Sequence, residues 1–270
     1  MDVKAFSKFF AVFLCIGLGL GSAFAATKPA ASDVQAILRD GRVLFAGEDG
    51  ADERSLAQAR LASRPKPLLL GVLREILAKD DAGEAGVALR ITLVLKLTEL
   101  MPEIEKRVAK RDEWRPVVAL NLLSDANSWP RLTKLYLERL PRVSSETTKV
   151  ALLDGLTTMK ASLDSLVYQS LISDSSSDVR RSAFQQFLAS RDQYPLADQQ
   201  KRFALAFAVP SYQGKFRALK AFLALPESER KQLASAVSPS LCKDETRSEV
   251  KDLCQNVQRS LGRAPAKEGP

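Results

Sequence analysis

The chain has 270 residues, 46% of them apolar and 27% charged, a balance that excludes wholesale disorder and allows one sizeable domain or an elongated repeat array. It contains no histidine, which excludes Ser-His-Asp and Cys-His catalysis, a histidine general base and His-containing zinc sites. The formal charge of +8 is spread along the sequence and interleaved with acids, so it marks no single binding stripe.

The first 25 residues have the three-part layout of a secretory signal peptide. Lys4 and Lys8 precede an apolar run from Phe9 to Leu20, and Ala23-Phe24-Ala25 places cleavage before Ala26. The run falls short of the about 20 residues a membrane span needs. Leu14 before Cys15 argues against a lipoprotein signal, and Gly17, Gly19 and Gly21 lie inside the apolar run with no strand–helix context for a phosphate loop. The expected compartment is periplasmic or extracellular, where nucleic acid is not an expected partner.

Residues 26–31 read as a flexible leader, with Ser32 as a helix N-cap and Asp33 complementing the helix dipole. Apolar residues then recur at helical spacing from Val34 to Leu261, which predicts ten to thirteen helices and no strand. Pro65, Pro102, Pro116, Pro130, Pro141, Pro195 and Pro226 fall at their boundaries, where a missing N–H is tolerated. Two stretches, 87–97 and 203–209, are apolar nearly all round and predict an inner layer. The run from Glu103 to Arg115 reads as one solvated helix with ion pairs along it. Residues 262–270 read as a fraying polar tail, giving one helical domain over 32–261.

Similar helix faces begin at Val87, Val117, Val150 and Val179, about 30 residues apart, the period of a helix-pair solenoid. The sharpest copy runs from Asp174 to Leu188: Ser176 or Ser177 caps, Asp178 complements the dipole, and Val179, Ala183 and Phe187 form one stripe. This stretch resembles the second helix of a HEAT-type repeat, a likeness that extends over about 85–210 and implies an all-α solenoid binding proteins or peptides. A competing resemblance, to the end of a tetratricopeptide repeat, covers Tyr212 to Pro226.

Chemistry is sparse. Ser228 and Lys231 match Ser-x-x-Lys, and Ser124-Asp125-Ala126-Asn127 is similar to an SDN element, but the sheet and the KTG-like strand that penicillin-recognising enzymes need are missing from the pattern. The carboxylate pairs Asp80/Asp81 and Glu103/Glu105 read as surface, and Asp174 with Asp178 as a polar turn more than a cation site. No catalytic residue, cofactor or metal site is expected. Cys242 and Cys254 are expected to form a disulfide; a straight helix would hold them about 18 Å apart, so Cys242 must lie in a turn folding back on the helix of Cys254. Trp114 and Trp129 each precede a proline-initiated helix, either as hydrophobic staples or as anchors for a partner. The expectation is a non-catalytic exported scaffold for a protein or peptide of the cell envelope; the alternative is a basic protein on an anionic polymer or lipid surface.

Overall fold

The computed structural model describes residues 29–45, 50–209, 211–241, 243 and 245–263. The expected signal peptide, residues 26–28 of the leader, Cys242 and most of the tail lie outside the described residues. Among those described the fold is all-α, with fourteen α-helices and no strand. No described helix is long and apolar enough to cross a membrane.

The chain forms two compact units, divided after Glu75. The first contains α1 (Ala31–Val43), α2 (Ala51–Ala62) and most of α3 (Lys66–Ala78). Helix α1 begins one residue before the expected Ser32 cap: Ala30 holds the N-cap position in extended conformation and offers no side-chain cap. Ile37 and Leu38 of α1 pack with Ala57 and Leu61 of α2, all fully buried. The same interface encloses Asp40, whose carboxylate accepts from Arg60 Nε at 3.0 Å and Arg64 Nη2 at 3.4 Å.

The second unit holds α4 (Ala82–Val94), α5 (Met101–Lys110), α6 (Trp114–Leu123), α7 (Trp129–Arg139) and α8 (Glu146–Thr158). It continues with α9 (Ser165–Ile172), α10 (Ser177–Ala189), α11 (Leu196–Ala208), α12 (Tyr212–Leu223), α13 (Glu227–Gln232) and α14 (Ser248–Ser260). Each even-numbered helix from α4 to α12 packs on the next even one, α5 packs on α7 and α9 on α11. Helices α5, α7, α9 and α11 also each pack on the even helix that follows. This packing of pairs and rows is consistent with stacked helix pairs. The four repeat starts read from the sequence, Val87, Val117, Val150 and Val179, fall on consecutive even helices.

Two arginines make similar hydrogen bonds to the ends of preceding helices. Arg107, near the end of α5, donates Nη1 to the carbonyls of Leu77 at 3.1 Å and Lys79 at 2.6 Å, around the end of α3. Arg139, the last residue of α7, donates to the carbonyl of Arg111 at 3.0 Å, just past the end of α5. In both cases an arginine closes the C-terminus of the preceding odd helix, where carbonyls lack intrahelical donors and the dipole favours a cation.

The α10 reading holds in detail: Ser176 caps with its Oγ 3.2 Å from Asp178 N, and Val179, Ala183 and Phe187 are fully buried. Three readings change. The run Glu103–Arg115 is not one helix; α5 ends at Lys110, Arg111 is extended and α6 begins at Trp114. Its charges join neighbouring elements instead, Glu105 to Arg131 at 2.6 Å, Arg111 to Asp80, and Arg107 to Glu113 at 2.8 Å. The apolar stretch 87–97 is not one helix to its end, because α4 stops at Val94 and Lys96 takes a left-handed φ of 52°. The fourteen described α-helices exceed the expected ten to thirteen by one. Finally, α4 is enclosed as expected, but in the 203–209 stretch Ala204 and Ala208 are exposed beside Phe203 and Phe207, which are buried.

Candidate partner-binding face on helix α6

Helix α6 reads WRPVVALNLL and carries apolar residues on every side. Pro116, Val117, Ala119 and Leu120 point into the core. Trp114, Val118 and Leu122, at i, i+4 and i+8, form a second apolar stripe facing outward. Trp114 is 42% exposed and Leu122 68%, with Val118 half-buried between them. Burial of α6 on one face therefore does not use its full apolar surface.

Two hollows flank Trp114. One, of 160 Å³, lies against Gly86 and Leu89 of α4. The other, of 290 Å³, runs over Val118 and Asn121 of α6 onto Val150, Ala151 and Asp154 of α8, with Asp178 and Arg181 of α10 at its edge. The floor is shaped by close helix packing. Asn121 donates to the carbonyl of Ala151 at 3.0 Å and accepts from the Tyr136 hydroxyl at 2.8 Å. Gly155 makes this approach possible, since a Cβ there would meet Asn121 Oδ1 and lie 2.5 Å from Tyr136 Cε2. Partial burial raises the pKa of the Asp154 carboxyl above its ordinary value, with Arg181 and a hydrogen bond from Ser182 pulling the other way. Asp178 is ion-paired to Arg181 at 3.0 Å.

The two tryptophans part company. Both are the first residues of their helices and not residues outside them, so neither occupies the staple position. Trp114 borders both hollows, with the Arg115 guanidinium 5.2 Å from its ring centroid. Trp129 begins α7 in the odd row, is half-buried and lines neither hollow. The sequence reading missed Val118, Leu122 and Val150; the available signal was the i+4 and i+8 repeat of apolar residues from Trp114 on a helix already apolar elsewhere.

A larger cavity, of 570 Å³, has a floor of Phe207, Val209 and Leu241. Its polar rim is internally paired: Lys215 meets Glu245 at 3.2 Å, Arg247 stacks 4.3 Å from the Tyr212 ring centroid, and Tyr212 bonds Glu249. Other candidate groups have structural partners as well. Asp81 caps α4 through Gly83 N at 2.7 Å, and Asp125 organises the turn after α6 through Ser128. Asp174 meets Lys149 Nζ at 2.7 Å, and Ser228 lies within the short helix α13. Cys254 is fully buried on α14, with Sγ 3.8 Å from the carbonyl oxygen of Leu241, the neighbour of Cys242.

No protein-family model matches the chain, and no curated protein shows significant similarity to it.

Proposed function

We propose that the chain is an exported, non-catalytic α-solenoid scaffold of HEAT-like type that binds a protein or peptide partner in the cell envelope. The observation that carries this reading is the exposed stripe Trp114–Val118–Leu122 beside the groove that α6 forms with α8. Apolar side chains left in water next to a concavity gain from being covered, and tryptophan is a frequent anchor in such contacts. Export rests on the N-terminal pattern, and with it goes a Cys242–Cys254 bridge, supported by the position of Cys254 Sγ beside Leu241. Titration of the unfolded, unreduced protein should find no reactive thiol at these two positions; two would remove the bridge.

The anionic-surface alternative has one observation in its favour, a cleft between α10 and α12 lined by Arg180, Arg181 and Arg217. Two of the three are already engaged, Arg180 with the carbonyls of Asp174 and Ser175 and Arg181 with Asp178. The protein-binding reading is therefore preferred. A photo-crosslinking residue in place of Leu122, in the envelope of the producing cell, should give a discrete adduct that Trp114→Ala abolishes. The same residue in place of the exposed Glu138 on α7 should give none. Equal labelling from both positions would reject the face.

A further inference from the structure

The charge of the groove runs against the charge of the chain. The protein carries +8 overall, yet the groove between α6 and α8 is lined by the carboxylates Glu146, Asp154 and Asp178 and by one cation, Arg181. Asp178 and Arg181 pair with each other at 3.0 Å, which leaves Glu146 and Asp154 as an excess of negative charge above an apolar floor. Glu146 and Asp154 lie on one helix at i and i+8, so both face the same side about 12 Å apart along the axis. Between them lie Val150 and Ala151, and across from them Trp114 and Val118. An occupant that fits must bury an apolar side chain on this floor and bring a cation to the α8 edge.

We infer that the groove between α6 and α8 takes a short peptide segment in which an apolar side chain lies next to a lysine or arginine. This rests on the protein-binding reading and specifies the partner's chemistry. An anionic polymer would meet carboxylates of its own sign here, and a purely apolar segment would cover Asp154 while Arg181, shared with Asp178, is its one cation in the groove lining. A cation seated at Asp154 offsets that desolvation, and the apolar neighbour supplies the buried area.

The test uses the full chain carrying Trp129→Phe, which leaves Trp114 as the single tryptophan. The probes are a synthetic peptide of repeated serine–leucine–lysine triplets and its counterpart with glutamate for lysine. The lysine peptide should shift Trp114 emission to the blue, saturably, and the glutamate peptide should not. The double change Glu146→Gln, Asp154→Asn should weaken the lysine peptide about tenfold, and added salt should do likewise. Both residues are exposed, and amides keep their shape and can still accept hydrogen bonds, so unfolding midpoints should shift little; measuring them separates lost binding from lost folding. Equal binding of the glutamate peptide would overturn the cationic assignment and leave peptide binding standing. Unchanged affinity in the double variant, or no response to either peptide, would overturn it too. So would self-association of the chain that Trp114→Ser abolishes, which would make a second copy the occupant. The protein-binding reading itself is judged separately by the Leu122 crosslink.

Discussion

Asp40 and Arg202 are two charges buried in different company. Asp40, 1% exposed in the first unit, is met by two guanidiniums at 3.0 and 3.4 Å. Arg202, 2% exposed on α11 in the second unit, has no ion-paired carboxylate among the described residues. Its guanidinium carbon lies 4.1 Å from the Tyr194 ring centroid and 4.7 Å from that of Tyr168, and Nη2 donates to the carbonyl of Leu163 at 2.7 Å. Nε and Nη1 find no acceptor among the described residues. A carboxylate concentrates its charge on two oxygens and needs donors; a guanidinium spreads its charge over a plane and can lie against aromatic faces. The two sites should therefore respond oppositely to removal of charge.

The largest effect is expected at the first. Replacing Arg60 and Arg64 together by methionine leaves the Asp40 carboxylate buried and unpaired, which should destabilise by about 3–5 kcal/mol in chemical denaturation. Either single change should cost far less, since the remaining arginine still reaches the carboxylate. At the second site Arg202→Lys keeps the charge but loses the planar stack and should cost about 2 kcal/mol. Arg202→Met keeps the bulk, removes the desolvated cation and should fall within about 1 kcal/mol of the parent. If methionine proves much worse than lysine, the charge itself is what the aromatic faces hold and the contrast with Asp40 fails.

Asp112 is an intermediate case, a carboxylate held by backbone donors. Burial pushes its pKa up, but the N–H groups of Ser145 and Ser144, at 2.9 and 2.8 Å, outweigh that and leave it below the ordinary 3.8. A depressed carboxylate stabilises the fold above its unfolded pKa and loses that contribution as pH falls through the folded value. Stability measured below about pH 4 should therefore fall less steeply in Asp112→Asn than in the parent. Because Asp112 is largely exposed the difference should be modest, smaller than either effect above. A profile unchanged by the substitution would assign the acid loss to other carboxylates.

Much of the helical architecture was legible because burial follows a 3.6-residue period, as in Val179, Ala183 and Phe187. The break at Lys96 was not legible, because lysine in a left-handed conformation leaves no sequence mark of the kind glycine leaves. Nor were the partners of Arg107 and Arg202, since a contact across about 30 residues depends on how helices stack and not on local pattern. At the candidate face, Trp114 stood out by type and position. Leu122 and Val150 did not, because an apolar residue on a helix gives no sign of whether it faces core or solvent. Asp154 gains meaning only from the groove around it.

Lys96 and Lys160 give the finest test of what holds the Arg202 region in place. Both sit just past an even helix, α4 or α8, at φ of 52° and 50°. In each the next residue donates back to a carbonyl five positions earlier, Leu97 to Thr92 and Ala161 to Leu156, at 2.9 Å. That is the Schellman termination, which favours glycine at the left-handed position. After Lys160 come the carbonyls of Ala161 and Leu163, which accept from Gln186 and Arg202. No side-chain donor of that kind is seen after Lys96 among the described hydrogen bonds. Lysine to glycine at either site should relieve the Cβ strain and, after the added freedom of the unfolded chain, stabilise by about 0.5–1 kcal/mol. If helix termination alone sets the backbone at 160, the gain should match that at 96 and persist when Arg202→Met is added. If Arg202 is what forces the turn, the gain from Lys160→Gly should shrink in the Arg202→Met background, while that from Lys96→Gly stays constant. The matching geometry at Lys96, reached without those partners, leads us to expect additivity.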